Sequence, residues 1–174
     1  DVDYIIASGS LPPGVPMNVY AQLSKIAKKI NAKFVVDTSG EALKEAVDEG
    51  VFLLKPNLEE LGYLLGIENL EIANIEEAAK ELIHKNNCGI IVISLGSEGA
   101  MLVTKNETHT IKPPKVDVKS TVGAGDSMVA GLVYSLAKNN NLKEALMYGV
   151  ACGTAATMNK GTELCQLKDI EKIF

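Results

Sequence analysis

The sequence predicts an α/β protein in which one mostly parallel sheet forms the middle layer of a three-layer α/β/α sandwich. Short apolar segments alternate along the chain with longer segments whose apolar residues recur at helical spacing. The segment 90–94 is apolar almost throughout, which is typical of a strand covered by helices on both faces. Strands that alternate with helices form parallel sheets through right-handed crossovers.

The first half of the chain supports this class element by element. A short apolar strand at 4–7 ends in a turn that contains Gly9 and Gly14. Pro16 is suited to a first helical position, and the apolar residues after it predict a helix. Three further elements are predicted. Strand 34–36 ends at Asp37, helix 41–49 ends at Gly50, and strand 51–54 ends at Lys55.

The second half continues the pattern. Gly96 and Gly99 mark a turn after strand 90–94, and Pro113-Pro114 ends the segment that follows. The predicted helices are 58–65, 75–85, 126–137, 142–158 and a short one from 167, and a predicted antiparallel hairpin pairs 100–104 with 108–111.

Composition excludes several classes of function. The chain has 174 residues, of which 47% are apolar and 22% charged, as in an ordinary globular domain. A net charge of −5 gives no attraction for nucleic acid or for an anionic membrane surface. The odd number and wide spacing of Cys88, Cys152 and Cys165 predict free thiols in a reducing compartment, hence a cytoplasmic protein.

Polar residues collect where the predicted strands end. The segments 8–10, 37–39, 55–57 and 94–99 each follow a strand. Ligands of parallel α/β sheets bind at the carboxyl ends of the strands, so these segments are the predicted site.

The most informative segment is the glycine loop Thr121–Ser127, which opens an apolar helix. Its glycines let successive amides converge on an anion at the positive end of the helix. Asp126 would repel phosphate in a pure binding site, whereas a kinase needs a carboxylate to accept the proton of the attacking hydroxyl. The simpler interpretation is a glycine-rich turn in which Asp126 only favours the helix start. Met128 replaces the third glycine of a dinucleotide fingerprint, and no Walker lysine follows.

Asn57 and Glu60 form an Asn-x-x-Glu pattern with two interpretations. Placed after a strand and Lys55-Pro56, the pair suits a magnesium site at the sheet edge. The same spacing is also a helix capping box, and it recurs at Asn74/Glu77 and Asn141/Glu144.

The motifs TVGAGDS, SGSLPPG, KPNLEEL and VISLGSEGA resemble those of the ribokinase-like (PfkB-type) carbohydrate kinases, over essentially the whole chain. Within that family the chain is similar to the phosphofructokinase and tagatose-6-phosphate kinase branch. The resemblance implies ATP-dependent phosphorylation of fructose-6-phosphate, with 1-phosphofructokinase or tagatose-6-phosphate kinase as alternatives. It also implies that residues 1–174 are the C-terminal nucleotide-binding and catalytic portion of a longer kinase domain, which forms a homodimer.

The resemblance implies a role for each motif. Asp126 is the base that meets the sugar phosphate, and the amides of Gly123, Ala124 and Gly125 form the anion hole. The implied ATP contacts are Lys55, Asn57, Ser94, Gly96, Gly99 and Thr154, the magnesium residues are Asn57, Glu60 and Asp37, and Ser10 contacts the sugar phosphate. A monovalent cation, K⁺, is implied at Ser120, Val122, Ala156, Asn159, Gly161 and Glu163, where the closest branch tends to have a basic residue in place of Glu163.

Each of these roles has a structural alternative. Lys55 could be a solvated strand-end lysine, Gly96 and Gly99 a hairpin turn, and the small residues before Thr154 a helix-packing face. Ser10 and Asp37 could simply stabilise turns.

Two other functions stay open: a nucleoside or ribose kinase of the same superfamily, and a non-catalytic nucleotide-binding regulator. We also expect the 174 residues alone to bind nucleotide weakly, to phosphorylate sugar poorly and to self-associate through an unpaired sheet edge.

Overall fold

The predicted α/β class is confirmed by the computed structural model, which describes residues 2–86 and 88–174. Six strands form one mixed sheet in the order β1-β2-β3-β4-β5-β6. Their bounds are β1 Tyr4–Ser8, β2 Lys33–Asp37, β3 Leu53–Leu54, β4 Ile90–Ser94, β5 Ala100–Val103 and β6 Thr108–Ile111.

Seven α-helices alternate with these strands or follow them in the described part of the chain. They are α1 Val19–Lys29, α2 Gly40–Glu49, α3 Leu58–Leu65, α4 Ile75–Asn86, α5 Ala124–Ala137, α6 Leu142–Thr157 and α7 Leu167–Ile173. None of the helices described is both long and apolar enough to span a membrane.

The chain divides into two compact units. The first contains the residues up to Ser94 together with Val103–Thr108, and the second contains Leu95–Leu102 together with His109–Phe174.

The first unit is built on the parallel strands β1 to β4. Ser8 pairs with Asp37, Val36 pairs with Leu54, and Leu54 pairs with Ile91. Strands β1, β2 and β3 therefore end within one residue of the same level, and β4 continues three residues past the partner of Leu54. The apolar residues of the inner strands are all buried, as expected for a sheet with helices on both faces. Their polar end residues therefore project from a rigid apolar layer.

The second unit is dominated by the close packing of α5 against α6. A Cβ at Gly131 would lie 2.6 Å from Cys152 Sγ, and a Cβ at Gly149 would lie 2.6 Å from Leu132 Cγ. Glycine at these positions lets the two helices approach until side chains of one contact the backbone of the other. The resulting contact fixes α6 beside the glycine loop at the start of α5.

Some predicted boundaries differ from the observed ones. Helix α1 begins at Val19 rather than at Pro16, because the chain reaches helical geometry only after Asn18. Ile26 in this helix and Ile30, its C-cap residue, are about half exposed, although both follow the predicted helical spacing. Strand β3 pairs over only two residues, and α5 starts at Ala124, two residues before the predicted start at Asp126.

Candidate active site

An ion pair joins the ends of two neighbouring strands in the first unit. Lys55, directly after β3, lies with its Nζ 3.2 Å from Oδ1 of Asp37, the last residue of β2. Their side chains are only 8% and 17% exposed. The alternative of a solvated lysine is therefore wrong, because Lys55 is buried against a carboxylate. A buried ammonium held at a strand end is suited to meet a second anion.

Ser10 follows a turn that is anchored to the same strand end. The amide of Gly9 donates to the carbonyl of Asp37 at 2.9 Å, and the hydroxyl of Tyr20 donates to the carbonyl of Gly9 at 2.9 Å. Ser10 itself is exposed. These bonds hold the backbone directly before Ser10 against the end of β2, while the Ser10 side chain stays at the surface.

Thr38 adds a hydroxyl that was not singled out from the sequence. Its side chain is buried, and Oγ1 has no hydrogen-bond partner among the described residues. Ser127, directly after Asp126 in the second unit, has a buried Oγ that also lacks a hydrogen-bond partner among the described residues. An unsatisfied buried hydroxyl costs about 1–3 kcal/mol, so such groups often mark a place where a ligand or water supplies the partner. Both residues lie inside segments predicted as part of the site, 37–39 and 121–127, although neither hydroxyl was given a role from the sequence.

Asn57 and Glu60 form a complete capping box at the start of α3. The Glu60 amide donates to Asn57 Oδ1 at 2.8 Å, and the Asn57 amide donates to Glu60 Oε2 at 2.9 Å. Asn57 also forms a parallel bridge with Ser94, whose amide donates to the Pro56 carbonyl at 3.0 Å. The capping interpretation is confirmed, and Asn57 lies beside the end of β4.

Gly96 and Gly99 form a tight turn in the second unit. The Leu95 amide donates to the Gly99 carbonyl at 2.8 Å, and the Gly99 amide donates to the Gly96 carbonyl at 3.1 Å. A Cβ at Gly99 would lie 1.9 Å from the Ile111 carbonyl oxygen, so no other residue fits there. The hairpin-turn interpretation is confirmed for Gly99.

The glycine loop forms the start of α5. Gly123 is the N-cap in the left-handed region with φ of 77°, and it has no side chain with which to cap the helix. The Ala124 amide donates to the Thr121 carbonyl at 3.3 Å. A Cβ at Gly123 would meet nothing within 4 Å, so the backbone is open on that side. Asp126, the third helical residue, is exposed in the same turn. First-turn amides lack partners inside their own helix, so this helix start can bind an anion beside a carboxylate.

Helix α6 packs directly behind the loop. A Cβ at Gly153 would lie 3.1 Å from the Ala124 carbonyl oxygen, which confirms the tight-packing interpretation of the small residues before Thr154. The Thr154 hydroxyl donates to the Val150 carbonyl at 2.7 Å within its own helix. Its oxygen can still accept a hydrogen bond.

Two segments of the predicted cation site are joined by hydrogen bonds. Ser120 Oγ donates to the Gly161 carbonyl at 2.8 Å and accepts from the Val122 amide at 3.2 Å. The amides of Lys119 and Ser120 donate to the Thr157 carbonyl at 2.8 and 3.3 Å. The structure thus brings 119–122 and 157–161 together, two segments that the resemblance places around one cation and that spacing along the chain does not connect.

The remaining predicted cation positions differ in exposure. Ala156 is buried at the end of α6, and the Asn159 amide donates to its carbonyl at 3.1 Å. Glu163 is exposed in the loop after α6.

The donor groups fit the two implied metal ions differently. Backbone carbonyls around 156–163 are the donors that bind K⁺ in proteins. For magnesium, the described residues contain no group of three or more acidic, His or Cys side chains placed so that they could hold a metal ion. The Asp37 carboxylate already faces the Lys55 ammonium. A magnesium ion fits there only if nucleotide phosphates and water supply most of its ligands, as is common for this ion.

Comparison with known proteins agrees with this architecture. The model of the pfkB family carbohydrate kinases matches residues 1–169. ATP-dependent 6-phosphofructokinase isozyme 2 of Escherichia coli is 42% identical over 171 residues, which are 98% of this chain and 55% of that protein. A 1-phosphofructokinase of Bacillus subtilis is 36% identical over 166 residues, covering 92% of this chain and 54% of that protein.

A solved structure supports the fold at the level of coordinates. The crystal structure of phosphofructokinase-2 from E. coli in complex with potassium superposes with a TM-score of 0.92 at 42% identity, over 98% of this chain and 55% of that one. The predicted ribokinase-like α/β/α class is thereby confirmed. The chain spans about half the length of the relatives it matches. With a family model matched over nearly all of its length, the chain belongs to the pfkB family of carbohydrate kinases.

Proposed function

We propose that the protein, at its full natural length, transfers the γ-phosphoryl group of ATP to a hydroxyl of a phosphorylated ketohexose. The observation that carries the proposal is the start of α5, where Asp126 is exposed in the same turn as the open backbone of Gly123. The fructose-6-phosphate specificity of 6-phosphofructokinase isozyme 2 is the first candidate, since that relative has the higher identity. A 1-phosphofructokinase activity is the second, because such enzymes are also relatives.

Asp126 is the proposed general base. Its carboxylate would accept the proton of the sugar hydroxyl as that oxygen attacks phosphorus. The amides of Gly123, Ala124 and Gly125 would stabilise the charge on the phosphoryl group as it moves, helped by the dipole of α5. The close contact of Gly153 with the Ala124 carbonyl supports a rigid loop, as a preorganised anion hole requires.

Lys55 is proposed to neutralise nucleotide phosphate charge. Its burial against Asp37 limits the ammonium to one region at the strand end, so little side-chain entropy remains to be lost when phosphate binds. Asp37 then has two proposed roles, as the partner of Lys55 and as a group near magnesium. A bound magnesium ion would offset phosphate charge during transfer.

The remaining residues are proposed to position the ligands. Ser94, Gly96, Gly99 and Thr154 would contact the nucleotide, and Ser10 would contact the sugar phosphate. Asn57 and Glu60 would hold water on magnesium while they cap α3. The carbonyls of Ser120, Val122, Ala156, Asn159, Gly161 and Glu163 would hold a potassium ion. A homodimeric, cytoplasmic enzyme completes the proposal.

Replacement of Asp126 tests the proposal. In the full-length protein, Asp126→Asn should lower kcat with ATP and fructose-6-phosphate by about 10²–10⁴-fold, because the base is lost while the shape is kept. Nucleotide affinity, measured by calorimetry, should stay within about threefold, since amides and Lys55 provide the binding.

Glu144→Gln is the matched control. Glu144 also lies in the first turn of an α-helix, and glutamine preserves its capping bond. Equal turnover of Asp126→Asn and the parent protein would remove Asp126 from its role. Nucleotide binding without any turnover in the parent protein would favour the non-catalytic regulator, and a panel that includes ribose and nucleosides separates the other kinases of the superfamily.

A further inference from the structure

Two of the three cysteines lie together in the second unit, apart from the groups discussed so far. Cys152, on α6, is 3% exposed and belongs to a buried cluster with Ala151, Ala155 and Ile170. Cys165, in the segment between α6 and α7, packs against the same cluster and is partly exposed. Both are free thiols.

Local contacts hold the two thiols in this arrangement. Gly131 of α5 leaves room for the Cys152 sulfur, since a Cβ there would lie 2.6 Å from Sγ. Asn159 Nδ2 donates to the Ala155 carbonyl at 3.3 Å and to the Leu164 carbonyl at 3.1 Å. Asn159 therefore ties the segment that ends at Cys165 back onto α6, one turn after Cys152.

The two thiols differ in their chemistry. Burial raises the pKa of Cys152 to about 12, and the neighbouring Cys165 thiol adds to the rise. Cys152 therefore stays protonated near neutral pH. Because an oxidant has to reach the sulfur from solvent, it would react first with the more exposed Cys165.

We propose that Cys152 and Cys165 are a modification site, at which hydrogen peroxide forms a reversible disulfide. The Cys165 sulfur attacks one peroxide oxygen and releases its proton, the O–O bond breaks, and the leaving hydroxide takes that proton as water, which leaves a Cys165 sulfenic acid. The Cys152 sulfur then attacks the Cys165 sulfur, the S–O bond breaks, and the leaving hydroxide takes the Cys152 proton as water. Two thiols are oxidised, and one peroxide is reduced to two waters.

The disulfide would close a ring from Cys152 to Cys165 around the end of α6 and the loop after it. This ring contains Thr157 and Gly161, whose carbonyls accept hydrogen bonds from Lys119 and Ser120. Since residues 119–122 lead into the glycine loop, oxidation would restrain the segment that supports the start of α5. A disulfide lowers the conformational entropy of the chain segment that it encloses, so residues 152–165 would open less often.

Peptide mapping of the full-length protein tests the pair directly. The protein is treated with hydrogen peroxide, remaining thiols are alkylated, and peptides are analysed without reduction. We expect a peptide pair joined through Cys152 and Cys165 that disappears after dithiothreitol treatment. Cys152→Ala should abolish the pair and leave Cys165 to oxidise further, to the sulfinic acid.

Cys88→Ala is the matched control, because Cys88 is also buried but lies in the first unit. This variant should keep the cross-link. Peroxide that oxidises Cys165 in the parent protein without joining it to Cys152 would overturn the proposal, and so would loss of the cross-link in Cys88→Ala.

Hydrogen exchange gives a second readout. In the oxidised protein, amides of 157–165 should exchange about tenfold more slowly than in the reduced protein, and Cys165→Ser should show no such difference. Equal exchange in both redox states would refute the restraint of this loop. Neither measurement uses nucleotide or sugar, so a protein without kinase activity tests the thiol pair equally well.

Discussion

The contact between Lys55 and Asp37 shows that the role of a residue depends on its partner in the fold. From the sequence, Lys55 could be an ordinary surface lysine after a strand. Buried against Asp37, it becomes part of a pair whose two charges both lost most of their water. Breaking such a pair is costly, because the partner left behind is a buried charge without compensation.

Replacement of Lys55 should therefore destabilise the fold strongly. We expect Lys55→Met to lower the free energy of unfolding in urea by about 3 kcal/mol, since the Asp37 carboxylate loses its counter-charge. Lys44→Met is the control, because Lys44 is half exposed and lies 4.0 Å from Glu41, and its loss should cost about 0.5 kcal/mol or less. Similar losses in the two variants would show that the buried pair contributes little.

At the scale of elements, two helices begin with the same local device. Helix α3 has a capping box of Asn57 and Glu60, and α6 has one of Asn141 and Glu144, each with both hydrogen bonds formed. The boxes are locally equivalent, but only Asn57 lies beside the end of a buried parallel strand. Spacing along the chain therefore cannot distinguish a capping box with a purely structural role from one whose residues also contact a ligand.

The two asparagines provide a matched pair of variants. Asn57→Ala and Asn141→Ala should each lower the free energy of unfolding by about 1 kcal/mol, because each removes an N-cap acceptor. In the full-length protein, only Asn57→Ala should also raise the magnesium concentration needed for half-maximal turnover. An equal magnesium dependence in both variants would reduce Asn57 to a capping residue.

At the scale of the whole molecule, the strand order places β1 at one end of the sheet. Ile6 on this strand is 48% exposed, and Ile26 of α1 and its C-cap residue Ile30 are about half exposed. An edge strand that shows apolar side chains is a template for pairing with another chain. These observations agree with the expectation that the 174-residue chain self-associates.

Sedimentation velocity tests this expectation. The 174-residue chain should form concentration-dependent oligomers, and Ile6→Lys should shift it towards monomer, because a charge on an edge strand opposes pairing. Ile72→Lys is the control, since Ile72 is 57% exposed but does not lie on β1. A parent chain that stays monomeric at every concentration would contradict the prediction.

Local sequence signals were enough for much of this protein. Helix α3 was predicted with its observed bounds, because an Asn cap precedes it and Gly66 ends it in the left-handed conformation. Strand β4 was also predicted as observed, because a continuous apolar segment of this length is typical of a covered strand. The glycine loop was also located from a local signal, because the glycine amides and the Asp126 carboxylate are neighbours in the chain.

Contacts between distant residues could not be predicted in this way. The pairing of Lys55 with Asp37, of Ser120 with Gly161 and of Cys152 with Cys165 depends on which strands and helices become neighbours. Exposure of Ile26 depends equally on what covers α1. Propensity and capping act within a few residues, whereas burial and side-chain pairing depend on the packing of the entire chain, and for this reason the geometry of the candidate site emerged only from the fold.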